Sequence, residues 1–228
     1  MTSPIYWLDD DPTLFPHPNS ALNEPNGLLA AGGDLSSRRL VNAYSLGIFP
    51  WYNEDEPILW WSPSPRCVIK PSHFTPSKSL KKIIKKNKFE VRFNQNFKEV
   101  ITNCAQARSE GTWINQDIID AYCKLNTEGF AHSVECYENN VLVGGLYGIA
   151  LGGVFFGESM YSKVSNASKV AFAFLCEQLT IWGFTLIDCQ VYSEHLDSLG
   201  AIEISRDSFT NELNTGLTIS TSPRWHNE

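Results

Sequence analysis

The chain has 228 residues, 43% of them hydrophobic, and a formal charge of −7 at pH 7. That is enough apolar material for one large domain, or for a domain with a small companion. It excludes an evenly basic nucleic-acid binder, and no stretch is both long and apolar enough for a membrane helix: residues 144–157, the least polar run, are short and glycine-rich. Six cysteines with no C-x-x-C spacing read as reduced thiols, and with no secretory leader in the opening residues they predict a cytoplasmic protein.

In chain order, residues 1–62 hold prolines at 4, 12, 16, 18 and 25 and predict a small, loop-rich domain with one short helix. Asp34 or Ser36 would cap that helix, Leu40, Val41 and Tyr44 would be its buried stripe, and Gly47 would stop it. Phe49, Trp51, Tyr52, Trp60 and Trp61 are denser than a small core needs, so some of these rings are expected to stack on unpaired bases. Ser62-Pro63-Ser64-Pro65 marks a boundary, giving domains 1–62 and 63–228.

The second domain reads as a strand at 67–70, a lysine-rich helix at 78–86, a strand at 89–93, a helix at 97–108 and another ending at Gly129. A strand at 131–137, a turn at 138–140 and a glycine-rich hairpin at 141–162 follow. Next come a helix at 166–182 opened by Asn166, a strand at 186–190, a segment at 193–199, a strand at 201–205 and a short helix near Phe209. Strands and helices mixed around an antiparallel hairpin predict an α+β, or α/β layered, domain.

Three features point to chemistry. Gly144, Gly145, Gly148, Gly152, Gly153 and Gly157 weaken the hairpin as a sheet and favour close approach by another group. Glu158 stands just after Phe155 and Phe156, a carboxylate beside an aromatic floor. Residues 70–92 carry eight cations against Glu90 alone, a net +7 inside an acidic chain; with no partnering acids at i+4, Lys78, Lys81, Lys82, Lys85 and Lys86 read as a phosphate-backbone footprint. The histidines lack metal or triad spacing; His132 and Cys136, four apart on a strand, are poor ligand geometry. No metal site and no cofactor are expected.

Several ordered segments resemble one family. They are PNGLLAAGGDLSSRRLVNAYSLGIFPW (25–51), ILWWSPSPR (58–66), GTWI (111–114), AHSVECY (131–137), LVGGLYGIALGGVFFGESMYS (142–162), NASK (166–169), LIDCQV (186–191) and SLGA (198–201). The family is that of the leucyl/phenylalanyl-tRNA–protein transferases. The resemblance implies a small N-terminal domain followed by a GNAT-like acyltransferase domain with a mixed sheet. It implies an aminoacyltransferase that moves Leu or Phe, less readily Met, from aminoacyl-tRNA to proteins with N-terminal Arg or Lys, creating an N-degron. It further implies that Trp51 and Trp113 hold the aminoacyl 3′ end, that Phe155 and Ile187 line the amino-acid pocket, and that Glu158, Asp188 and Gln190 form the polar catalytic set. Leu146 and Leu175 stand where other members carry Met and Phe, leaving the pocket apolar with an altered shape.

Alternation along a strand would turn Asp188 and Gln190 toward one cavity and Ile187 and Cys189 toward the other layer. On this reading Gln190 accepts a hydrogen bond from the attacking amine, Asp188 orients Gln190 and compensates charge, and Glu158, alone or with Asp188, meets the acceptor's cationic side chain. The enzyme is expected to act as a monomer. Two alternatives remain open: an acyl-CoA-dependent N-acetyltransferase, which would want a Q/R-x-x-G-x-G/A loop where this chain has SNASK, and a noncatalytic RNA-binding module.

Overall fold

The computed structural model describes residues 5–107, 111–221, 223 and 225. Strands β1 (Tyr6–Leu8), β2 (Leu28–Gly32), β3 (Phe49–Pro50) and β4 (Leu59–Trp61) form a four-stranded sheet in the order β1-β2-β4-β3. Only loops and a helix were expected here. Strands of two to five residues are too short to display a period, and β2, LLAAG, shows none because its first four residues are all buried.

The expected helix, α1 (Ser37–Ser45), is capped by the Ser36 hydroxyl, which accepts from the Arg39 amide at 3.3 Å. It buries Leu40, Ala43 and Tyr44. Most of the neighbouring aromatics are core: Trp60 is fully buried with its indole N–H donated to the Gly32 carbonyl at 2.9 Å, and Phe49 and Tyr52 are buried too. Trp51, 44% exposed, keeps a ring in solvent.

The larger sheet contains β5 (Arg66–Ile69), β6 (Glu90–Phe93), β7 (Ala131–Glu138), β8 (Val141–Leu151), β9 (Val154–Ser162), β10 (Leu186–Gln190) and β11 (Ile202–Ile204), ordered β11-β5-β10-β9-β8-β7-β6. It is mixed, since β10 runs parallel to β9 and antiparallel to β5. Six more helices are α2 (Lys78–Lys85), α3 (Phe97–Gln106), α4 (Gln116–Thr127), α5 (Ala167–Ile181), α6 (Glu194–Asp197) and α7 (Arg206–Leu217). The fold is α+β.

Both faces of this sheet are covered, because consecutive strand residues point to opposite sides. One apolar cluster joins α2 and α5 to Cys67, Leu146, Phe155 and Ile187. The other joins α1, α3, α4 and α7 to Val68, Tyr147, Phe156 and Leu186, and runs on into Leu29 and Trp60 of the smaller sheet. One continuous core therefore ties the two sheets together.

Some local expectations need correction. Asn166 does not cap α5: its backbone is left-handed (φ 71°) and its side chain makes no capping bond, while the Ser162 hydroxyl accepts from the Ser168 amide at 2.9 Å. The last helix, α7, is 12 residues long rather than the short helix expected near Phe209. Arg108, at the end of the helix expected over 97–108, lies outside the described residues. The hairpin glycines admit the protein's own groups: a Cβ on Gly144 would sit 2.5 Å from that of Ala167 in α5, and one on Gly148 would sit 2.2 Å from the Phe156 carbonyl and 2.6 Å from the Phe155 ring.

Candidate active site

Two irregularities on neighbouring strands build the site. Pairing of β8 with β9 steps from Tyr147↔Ser159 to Gly148↔Gly157, so Glu158 is the extra residue of a bulge. Pairing of β10 with β5 steps from Asp188↔Val68 to Gln190↔Cys67, which makes Cys189 an extra residue, and Gln190 adopts φ 65°. That left-handed backbone costs a non-glycine residue about 1 kcal/mol or more. The β9–β10 pairing itself reaches only Phe156↔Asp188. Beyond that level Glu158 and Gln190 turn to each other, the Gln190 Nε2 donating to Glu158 Oε1 at 2.7 Å.

Glu158 is buried and takes two further donors: the Tyr44 hydroxyl of α1 reaches Oε1 at 2.7 Å, and the Tyr122 hydroxyl of α4 reaches Oε2 at 3.2 Å. The two tyrosine hydroxyls are also within hydrogen-bond reach of each other; with one proton apiece they fill all three contacts only when the Glu158 carboxyl carries a proton of its own. Burial pushes the Glu158 carboxyl up to about 7, against the pull of the three hydrogen bonds. Burial first, then the charge of Glu158, holds both tyrosines well above their usual range. A carboxylate offers about four acceptor positions. Three are occupied, leaving Oε2 room for one more donor.

Beside this group lies a cavity of about 220 Å³ between β8, β9, β10 and α5. Leu146, Phe155, Leu175 and Ile187, the four residues expected around an amino-acid side chain, all line it, with Glu158 at its polar side. Met160 and His195 complete another wall, with His195 Nε2 and Met160 Sδ 3.1 Å apart.

Strand alternation does part Asp188 from Ile187 and Cys189, but the cavity lies on the side of the latter two, not on that of Asp188 as expected. Ile187 and Cys189 line the cavity, whereas Asp188 is fully buried on the opposite face, its carboxylate gripped by Arg66 through Nε at 2.8 Å and Nη2 at 2.6 Å. The bulge at Cys189 breaks the parity, so Gln190 returns to Glu158 while Asp188 stays with Arg66. With its charge paired inside the protein, Asp188 is not available to an acceptor's cation.

Trp51 and Trp113 do not line the cavity. Trp51 lies 5.7 Å from the ring of Trp61, whose indole N–H donates to the Trp51 carbonyl at 2.6 Å; Trp113 is half-buried against the core. Lys78, Lys81, Lys82, Lys85 and Lys86 are all exposed, and among the described residues no carboxylate pairs with them. The rest of the patch is engaged: Lys70 with Glu212 at 2.8 Å, Lys88 with Glu138 at 3.3 Å and Arg92 with Glu90 at 2.8 Å. Among the described residues no group of three His, Cys, Asp or Glu is arranged to hold a metal ion, and no helix is long and apolar enough to cross a membrane.

Sequence reasoning missed Tyr44, Tyr122 and Arg66. Tyr44 and Tyr122 sit at helix-core positions where a ring is ordinary, and nothing local announces that their hydroxyls meet a carboxylate. Arg66 did carry a signal: a charge heading RCVI, a strand buried throughout, needs a buried anion.

Apolar room for a side chain, edged by a buried acid that an amide side chain holds, suits an enzyme of acyl transfer. A family model described as leucyl/phenylalanyl-tRNA protein transferase matches residues 68–214, and the model for the N-terminal domain of that transferase matches 33–64. A leucyl/phenylalanyl-tRNA–protein transferase of Nitrosospira multiformis is 56% identical over 211 residues, covering 92% of this chain and 90% of that one. One from Pseudomonas fluorescens is 51% identical over 223 residues, covering 97% and 99%. The chain belongs to this family of aminoacyl-tRNA–protein transferases. Among solved structures, a GCN5-related N-acetyltransferase from Kribbella flavida is 10% identical with a TM-score of 0.41, covering 72% of this chain and 60% of that one, a likeness too slight to build on.

Proposed function

We propose that the protein transfers leucine or phenylalanine, and methionine less readily, from aminoacyl-tRNA to the N-terminal Arg or Lys of acceptor proteins, marking them for degradation. The observation that carries this reading is the apolar cavity with Glu158 in its wall, a carboxyl that Gln190 holds by a hydrogen bond. Burying a Leu or Phe side chain there is worth about 1.5–3 kcal/mol, and a charged side chain would be turned away by desolvation.

In the reaction the acceptor's α-amine attacks the ester carbonyl. The new C–N bond forms, the bond to the ribose oxygen breaks, and the amine's proton leaves with that oxygen or through water. Ester to amide runs downhill, so positioning is the main task, and an α-amine with a pKa near 7.7–8.0 is partly free base at neutral pH. Because Gln190 donates its Nε2 to Glu158, its Oε1 is left to accept from the attacking amine. The open position on Glu158 Oε2 suits the acceptor's cationic side chain. The exposed ring of Trp51, together with Trp113, is assigned to the 3′ adenosine, and the α2 lysines to the tRNA backbone. The division near residue 62 and a monomeric, cytoplasmic enzyme belong to the same proposal; the boundary is supported by the two sheets, drawn from residues 6–61 and 66–204.

The test mixes the purified protein with radiolabelled Leu-tRNA and a peptide beginning with Arg, in parallel with one beginning with Ala, without ATP or acetyl-CoA. Label on the Arg peptide alone is expected. Acetylation of either peptide when acetyl-CoA replaces the tRNA, with no leucyl transfer, would overturn the reading.

A further inference from the structure

We infer that Arg66 is a positioning residue for the transfer, acting through Asp188 on the backbone of Gln190. The inference rests on the proposed function and concerns the same site. Asp188 Oδ1 accepts from Arg66 Nε at 2.8 Å and from the Gln190 backbone N–H at 2.9 Å, while Oδ2 accepts from Arg66 Nη2 at 2.6 Å. One carboxylate thus joins a fixed guanidinium to the residue whose left-handed backbone aims its side chain at Glu158.

The guanidinium is itself immobilised. Its carbon lies 4.8 Å from the ring centre of Phe49 in β3 and 4.5 Å from that of Phe209 in α7, and Nη1 is buried with no hydrogen-bond partner among the described residues. A planar, forked donor held between two rings sets direction in a way that a lysine could not. The unfavourable backbone at Gln190 persists only where its surroundings over-determine it, and the Arg66–Asp188 clamp supplies that constraint. What the transfer needs from Asp188 is then its grip on the Gln190 amide, not its negative charge.

Two variants separate geometry from charge. Arg66→Gln combined with Asp188→Asn removes both charges yet leaves an amide oxygen to hold the Gln190 N–H. Asp188→Glu keeps the charge but displaces the carboxylate by one methylene. Single-turnover transfer from Leu-tRNA to the Arg peptide is expected to stay within about tenfold of wild type in the neutral pair, and to fall about 100-fold in Asp188→Glu with KM for both substrates little changed. Hydrogen exchange of the Gln190 amide, read by NMR on glutamine-labelled protein, is expected to remain slow in the first variant and to quicken in the second. The reverse order, with Asp188→Glu active and the neutral pair inactive though folded, would overturn the inference. If one variant does not fold, the other decides alone. Failure of wild type itself to transfer leucine would count against the proposed function, while the exchange measurement would still test the clamp.

Discussion

Glu158 carries two opposing demands, since burial favours its neutral form and a cationic acceptor would need its charge. Its carboxyl is raised from 4.5 to about 7, so the folded state binds a proton that the unfolded state has already lost. The associated stability is fully present below pH 4.5 and is lost as pH climbs through 7. Between pH 5 and pH 8 wild type should give up about 2–3 kcal/mol that Glu158→Gln does not, seen by calorimetry as a melting point falling on the order of 5–10 °C further. Selectivity should follow the same titration in the opposite direction. The ratio of Arg-peptide to Ala-peptide transfer cancels the titration of the α-amine, and it is expected to decline below pH 7 in wild type and to stay low throughout in Glu158→Gln. At this scale the cavity residues Leu146, Phe155, Leu175 and Ile187 were legible through the family resemblance, whereas strand alternation alone turned Ile187 away from the cavity. The separation of Gln190 from Asp188 was not legible, because the bulged residue between them reverses parity and nothing in CQV declares that a glutamine will take a left-handed backbone.

Among the elements, α2 is the most direct translation of sequence into surface. Leu80 is buried, Ile83 and Ile84 are half-buried, and the lysines face outward. If its lysines meet tRNA phosphates, replacing Lys81 and Lys85 together with Ala should weaken tRNA binding and flatten the slope of log Kd against log salt by roughly one for each phosphate no longer neutralised. Turnover at saturating tRNA should hold. An unchanged slope would remove α2 from the interface. Helix α5 and the β8–β9 hairpin were legible because each is long enough to display a period. The strands of the smaller sheet were not, since a two-residue strand such as β3 exists only through its pairing with β4.

For the whole molecule, the smaller sheet reaches the site through α1. Tyr44 meets the same Glu158 oxygen, Oε1, as Gln190 and packs edge-on against Phe156, with ring centres 5.2 Å apart. Tyr44→Phe would leave a buried carboxylate short of one donor, costing about 1–3 kcal/mol. Because that donor favours the charged form, its loss should raise the Glu158 carboxyl further and move the pH at which Arg selectivity declines upward. An unmoved midpoint would mean that the hydroxyl only fills space. Ser62-Pro63 reads as punctuation in the sequence, but the core shared by the two sheets was not legible, as an approach between residues 44 and 158 leaves no local pattern. The place of β10 has one more consequence. It lies between β5 and β9, and its Asp188 meets Arg66 across 122 positions of chain. Closing so long a loop costs chain entropy before any contact rewards it, and until β10 inserts, the strands on either side expose unpaired edges that can take up a stranger's strand. A chain whose β10 has not inserted has neither the Asp188–Arg66 clamp nor Gln190 beside Glu158, so the form without catalytic competence is also the one open to its neighbours.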